Sequence, residues 1–469
     1  MPTILESGPM TRTEKRATIG LALIFAFRML GLFIVLPVFS VLAGSLEGAT
    51  PELIGLAIGA YGFTQALLQI PFGLLSDRIG RKTVIAAGLI LFFLGSLVAA
   101  TSSSIYQVIA GRALQGSGAI AAAVMALTAD LTREEHRTKA MALIGVSIGL
   151  AFAVSMAAGP MIGHWLDLSG LFWTTAGLAV LGLLILFTIV PNPVAVRFHR
   201  DAETQPTRFA KVLTNLELLR LDFGILALHC ILTATFVALP VALRGFLPTF
   251  KHSYLYLPAM AAAAVLMVPL VIAAEKRQRI KPVFLLGVIL VALAELGLSR
   301  FYTEIYGTAL CLVVFFTGFN LMEALLPSLI SKIAPVDLKG TAMGVYSSSQ
   351  FFGAFLGGIL GGFLHGRFGL QAVFWFSAGI ALLWLLFASG MTSPRPVKSL
   401  LVPVVLPDPQ RAAFLARSLR KLPGVIEAVV VPDENVAYLK IEEEHLDFGR
   451  LQALVTRFTE PMTTQAVEN

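Results

Sequence analysis

The sequence predicts an all-α membrane protein of twelve transmembrane helices, six on either side of a polar gap, followed by a small α+β domain. Three observations predict it. The 469 residues are 57% hydrophobic and 13% charged, with a mean hydropathy of +0.82, whereas roughly a quarter of an average soluble domain is charged. The apolar residues gather into runs close to the roughly 20 residues that cross a bilayer. Composition then changes beyond Thr392, where the chain reads as a linker and a soluble domain.

The runs lie near 17–43, 52–76, 83–101, 105–130, 139–165 and 168–190, then 223–243, 254–274, 282–299, 304–331, 340–364 and 370–390. The first exceeds the roughly 7–15 residues of a signal-peptide core and is expected to stay as a helix. The gap Pro191 to Asp222 carries Arg197, Arg200, Asp201, Glu203, Arg208, Lys211 and Arg220, as a solvated linker would. The expected divisions are 1–190, a linker 191–222, 223–391, a linker 392–399 and a soluble domain 400–469.

Orientation follows from the basic residues. With the N-terminus inside, the cytoplasmic segments carry twenty Lys and Arg and the outer loops four, Arg244, Lys251, Arg300 and Arg367. The positive-inside rule therefore expects both termini in the cytoplasm. The formal charge of +7 is accounted for by these span ends, so nucleic acid is not an expected partner. Cys230 and Cys311 each sit in an apolar run, which gives neither a disulfide framework nor a metal site. No catalytic triad or phosphate loop is present, so no enzyme activity, cofactor or direct use of ATP is expected.

One charged turn stands out. Gly73-Leu-Leu-Ser-Asp-Arg-Ile-Gly-Arg-Lys82 interrupts two apolar runs, with Gly73 and Gly80 where backbones must approach and reverse. The pattern G-x-L-x-D-R-x-G-R-K, in the loop after the second span, resembles motif A of the major facilitator superfamily. Arg28-Met-Leu-Gly-Leu-Phe-Ile-Val-Leu-Pro37, Gly111-Arg-Ala-Leu-Gln-Gly-Ser-Gly-Ala119 and Asn320-Leu-Met-Glu-Ala-Leu-Leu-Pro-Ser328 extend the resemblance, and with the C-terminal domain it points to the YajR-type branch. The resemblance implies two six-helix bundles, alternating access, a small-molecule substrate and a bacterial inner membrane.

It also implies site residues. In the family the motif A aspartate and the arginine four residues later join an acidic residue ending span four, and the aspartate faces the amino end of span eleven. Those positions match Asp77, Arg81 and Asp130, with Lys339-Gly340 opening span eleven; Arg78 and Lys82 complete the basic cluster. An aspartate near a helix N-terminus gains about 0.3–1 kcal/mol, which supports a latch, the alternative being a charged loop that only sets topology. Glu275-Lys-Arg-Gln-Arg-Ile-Lys281 occupies the corresponding loop of the second half with the charges but without the glycines.

Gly145, Gly149, Ser155, Gly159, Pro160 and Gly163 in span five resemble motif C of the drug/proton antiporter branch, and Gly353, Gly357 and Gly361 repeat the theme in span eleven. Small residues on one stripe let helices pack closely. Such packing is either purely structural or also seals one conformational state. The motif makes efflux the expected direction.

A charge at the centre of a bilayer costs at least about 2.5 kcal/mol and is either paired or functional. Arg28, Arg112, His229, Glu295 and Glu323 lie within spans, and Arg28, Arg112, His229 and Glu323 fall on spans one, four, seven and ten, which line the cavity in the superfamily. Arg112 matches motif B, whose arginine is implicated in proton transfer through an acidic partner. Its alternative is a structural arginine on backbone carbonyls, and Arg28 admits the same two roles. Glu323, followed by Pro327, is a candidate proton or cation carrier or a paired carboxylate; His229 is a coupling or cavity residue or a satisfied core histidine, and Glu295, on a ninth span that is peripheral in the family, is a functional or a structural carboxylate.

Beyond Ser393-Pro-Arg-Pro-Val-Lys398, a strand is expected at 401–406, a helix at 409–422, a hairpin of 425–431 and 436–441 across Pro432-Asp-Glu-Asn435, and a helix at 448–458. The order suggests a ferredoxin-like sandwich, as in the heavy-metal-associated domains that the YajR-type domain resembles. The segment has no cysteine, so metal through Cys-x-x-Cys is excluded. A structural or self-associating module and a ligand-sensing module both fit. The overall expectation is a proton-coupled efflux antiporter with protons, a small molecule and the bilayer as partners. A membrane-embedded sensor and a proton-independent uniporter are the alternatives.

Overall fold

The structure, a computed structural model, describes residues 8–192, 209–276, 279–335, 338–392, 397–404, 409–432, 435–442 and 445–459. Most of the charged linker (193–208), Arg277, the second linker (393–396), residues 405–406 of the expected first strand and the hairpin tip (433–434) lie outside these residues.

The first span is α1 (Arg12–Phe33) and, after a turn at Pro37, α2 (Phe39–Leu42). A capping box starts α1: Thr11 accepts from the Glu14 amide and Glu14 accepts from the Thr11 amide. Spans two and three are α3 (Pro51–Ile79) and α4 (Arg81–Ala100), joined through Gly80 alone, whose φ of 99° a side chain would strain. The fourth span, expected as one helix, is two: α5 (Ile105–Ser117) and α6 (Ala121–Leu131). The break lies where α4 presses closest, since a Cβ on Gly118 would sit 2.2 Å from the Gly88 carbonyl oxygen.

Spans five and six form one long element, α7 (Glu134–Thr188), reversed at Asp167, where φ is 56° and ψ is −166°. After α8 (Phe209–Leu213), the second half comprises α9 (Leu216–Arg244), α10 (Ser253–Lys276), α11 (Ile280–Phe301), α12 (Ile305–Ile333), α13 (Lys339–Phe368) and α14 (Leu370–Ser389). Eleven segments are long and apolar enough to cross a membrane, and the one within α7 counts twice because of its reversal. Twelve spans place both ends of the helical region on one side, called here the terminal side.

The soluble domain consists of β1 (Lys398–Pro403), α15 (Pro409–Leu419), β2 (Val425–Val431), β3 (Val436–Ile441) and α16 (Phe448–Thr459). The sheet order is β1-β3-β2 with β3 antiparallel to both neighbours, a split β-α-β unit of the expected kind. The first strand starts earlier than expected, because its register pairs Lys398 with Ile441 and ends at Pro403 opposite Val436. Alternate β3 residues Ala437, Leu439 and Ile441 pack with Leu415, Leu419, Leu451 and Val455 of the two helices.

The two six-span halves meet away from the termini. Gly55, Gly59 and Gly62 of α3 lie directly on the backbone of α13, where a Cβ on Gly55 would stand 2.2 Å from the Gly358 carbonyl oxygen and one on Gly62 2.5 Å from that of Phe351. Ser253 donates to the Ala157 carbonyl (2.7 Å) and Ser40 to that of Phe236 (3.4 Å). Phe63 stacks near Phe355, His164 near Phe250, and Phe152 contacts Phe316 and Phe319. Among the described residues, the hydrogen bonds and ring contacts that join the halves lie between mid-membrane and the far side.

Candidate functional site between the two halves

The charged turn folds as a tight cluster on the terminal side. Arg81, buried at 1% side-chain exposure, forms ion pairs with Asp77 and with Asp130 (Nε to Oδ2, 3.3 Å) and donates to Ser76 Oγ at 3.0 Å. Asp130 is fully buried and Asp77 is 26% exposed. Helix geometry explains the grouping: Asp77 ends α3, Arg81 begins α4 one residue beyond Gly80, and Asp130 ends α6 at the same depth. Lys82 caps the end of α7 through the Val190 carbonyl (2.9 Å) and Asn192 (2.9 Å). Arg78 is exposed. Gly73 passes Ala122 so closely that a Cβ would meet that side chain at 3.0 Å. Gly340 is buried at the start of α13, and Asp77 forms its ion pair with Arg81 of its own loop.

Deeper in the first half lies a polar network without an acid. Arg28 donates from Nη2 to Gln65 Oε1 (2.7 Å) and to the Gly118 carbonyl (2.6 Å), an oxygen freed by the break in span four. Gln65 passes the chain on to Gln69 at 2.9 Å. Arg112 donates to Gln115 (2.9 Å) and to the Ala57 carbonyl (3.4 Å), and Gln115 to Ser96 (2.8 Å). Both guanidinium groups flank the Tyr61 ring, at 5.9 and 5.0 Å from its centre. Among the described residues, no carboxylate is a hydrogen-bond or ion-pair partner of Arg28 or Arg112.

The second half is the reverse. His229 Nε2 lies 3.6 Å from Glu323 Oε1 and 2.9 Å from Gln350 Nε2, bringing together α9, α12 and α13. Glu323 keeps 31% of its side chain exposed, and Pro327 removes the N–H that its carbonyl would otherwise accept from within the helix. Glu295 is fully buried on α11 and accepts from Thr235 at 2.7 Å. Asp222, assigned by the sequence to the end of the linker, instead lies inside α9, 5% exposed, with neither carboxylate oxygen hydrogen-bonded. Among the described residues of these spans, no Lys or Arg pairs with Asp222, Glu295 or Glu323.

The glycine motifs divide. Gly159 and Gly163 pack on the first span: a Cβ on Gly159 would stand 2.5 Å from the Ile34 carbonyl oxygen, and one on Gly163 2.9 Å from Leu42. Ser155 donates to the Leu30 carbonyl (3.2 Å), and Pro160 is buried. Gly145 and Gly149 would meet nothing within 4 Å. Gly353, Gly357 and Gly361 lie on α9 against Leu226, Cys230 and Ala234. Asp222, Tyr61, Gln65, Gln350 and the Gly55-Gly59-Gly62 stripe were not singled out in the sequence. The G-x-x-x-G-x-x-G spacing was the signal available for the stripe.

Helices that pack as two halves, with buried charge on the spans between them, define a polytopic membrane protein. Residues 21–275 and 257–429 match the Major Facilitator Superfamily. The inner membrane transport protein YajR of Escherichia coli strain K12 is 49% identical over 93% of this chain and 96% of its own length. The multidrug resistance protein MdtH of Aeromonas salmonicida is 25% identical over 67% of this chain and 79% of its own. A bacterial homolog of the human lysosomal transporter Spinster, solved in an inward-facing and occupied conformation, shares the fold, with a TM-score of 0.69 at 12% identity over 81% of this chain and 97% of that one. The chain belongs to the Major Facilitator Superfamily and is a transporter.

Proposed function

We propose that the chain is a proton-coupled efflux antiporter of the bacterial inner membrane, working by alternating access with both termini in the cytoplasm. The observation that carries the reading is the His229–Glu323 pair. A carboxylate at membrane depth, partly exposed and 3.6 Å from an imidazole, has no Lys or Arg paired with it among the described residues. Such a group can gain and lose a proton as access alternates. The relatives named as an inner membrane transport protein and a multidrug resistance protein support location and direction, and the basic-residue count supports the orientation.

The packed far side and the separate terminal side correspond to a state open to the cytoplasm. Gly73, Asp77, Arg78, Gly80, Arg81, Lys82, Asp130 and Gly340 then serve as the switch: reaching the other state brings the Asp77 end of α3 against the start of α13, where the helix dipole favours the carboxylate. Residues 1–190 and 223–391 act as the two moving bodies and 400–469 as an appended domain.

The test uses the full chain in vesicles with entrapped pyranine and an imposed pH gradient. Compounds that raise its melting temperature are added one at a time. The reading expects a substrate-dependent proton flux that Glu323→Gln abolishes. Substrate flux that persists after the gradient is collapsed would establish a uniporter instead, and binding without any flux would establish a sensor.

A further inference from the structure

Asp222 is the buried charge that the site above does not use. It stands at i relative to His229 at i+7, so the two share one face of α9, with Asp222 about 10 Å nearer the terminal side. It is 5% exposed, and both its oxygens lack a hydrogen-bond partner. A buried carboxylate with no partner is costly, and a fold retains one where the group has work to do or holds a proton.

Its surroundings connect it to the pair above. Gln350 of α13 touches His229, which lies 3.6 Å from Glu323 and shares its α9 face with Asp222. Of the charges on the other elements against α9, Lys332 of α12 pairs with Glu275 (3.9 Å), Lys339 opens α13, Lys211 of α8 is exposed and Asp77 of α3 is held by Arg81, while α14 and α2 carry no ionisable side chain. The turn 249–252, with Lys251 and His252, belongs to the far side. On α9 itself, Glu217 and Arg220 pair with each other.

We propose that Asp222 is a second proton-carrying site, which takes up and releases a proton on the terminal side of the His229–Glu323 pair. The proposal rests on the antiporter reading for its purpose, but not for its test.

The full-length protein, purified without substrate, is subjected to acid jumps from about pH 9 to about pH 5, and proton uptake is counted with a pH dye. Asp222→Asn and Glu323→Gln are each expected to take up about one proton fewer per molecule than the parent, and the double variant about two fewer. Carbodiimide, which reacts with protonated buried carboxyls, is expected to modify Asp222 in a pH-dependent manner by mass spectrometry. Asp222→Glu is expected to restore the count, and thermal melting and gel filtration confirm that each variant is folded. An unchanged count in Asp222→Asn, or an Asp222 that stays unmodified at every pH, overturns the proposal even if gradient-driven transport is found. Absent transport with an intact count overturns the antiporter reading alone.

Discussion

The guanidinium of Arg28 ends 2.6 Å from the carbonyl oxygen of Gly118, the residue at which span four breaks. A broken helix inside a membrane frees carbonyls that no water can satisfy, and a first-span arginine supplies the missing donor. The same guanidinium holds Gln65, so one side chain joins spans one, two and four.

Arg28→Leu is accordingly expected to destabilise the protein. Each buried acceptor left without a donor costs about 1–3 kcal/mol, and Arg28 serves two. The check is thermal unfolding in detergent; a variant that melts like the parent but fails to couple protons would place Arg28 in transport instead.

The inter-half glycines give a second expectation. Gly358→Val puts a side chain where a Cβ alone would stand 2.6 Å from the Gly55 carbonyl oxygen. The far side should then fail to close, seen as faster thiol labelling of cysteines introduced there. Gly145→Ala meets empty space and should leave this state intact, with a gain of up to about 1 kcal/mol from helix propensity. If Gly145→Ala nevertheless halts transport, the motif C face seals the other state.

Within the charged turn the two aspartates should differ. Asp130→Asn removes one of the carboxylates paired with the buried Arg81, and breaking a buried pair costs about 3–5 kcal/mol. Asp77, 26% exposed, should cost less in melting temperature and more in the balance between the two states. Distances between spin labels on α3 and α13 measure that balance. Equal conformer populations in Asp77→Ala and the parent would remove the latch.

The soluble domain touches the bundle through Lys440, whose Nζ donates to the Ala334 carbonyl (2.7 Å) and approaches that of Ile333 (3.5 Å), capping the end of α12. Burial lowers the Lys440 pKa below its ordinary 10.5, and the Glu427 carboxylate 3.9 Å away partly opposes the shift. The docked lysine therefore holds fewer protons than an undocked one between its lowered value and 10.5. Docking should strengthen as pH rises through that window and be weakest below it. Lys440→Ala should loosen the domain by about 0.3–1 kcal/mol. The distance between spin labels at exposed Arg417 and Phe387 reads both effects.

Much of this molecule was legible in its sequence because a bilayer leaves few choices. A run of apolar residues must be a helix, a glycine-broken cluster of charge must be a turn, and Val425–Val431 with Val436–Ile441 must pair across a short loop. The cluster of Asp77, Arg81 and Asp130 was legible for the same reason, since helix ends share a depth. Other features were decided by tertiary structure. Hydropathy averages over a window, so Asp222 read as the end of a linker, although α9 begins at Leu216 and buries it. Periodicity carries no partner, so the stripe Gly55-Gly59-Gly62 did not reveal α13 opposite it. The kind of buried ionisable group in each half, guanidinium around Tyr61 and carboxyl beside His229, likewise depends on which spans are brought together. Spacing along one helix sets which residues share a face, and only the packing of distant helices sets what that face meets.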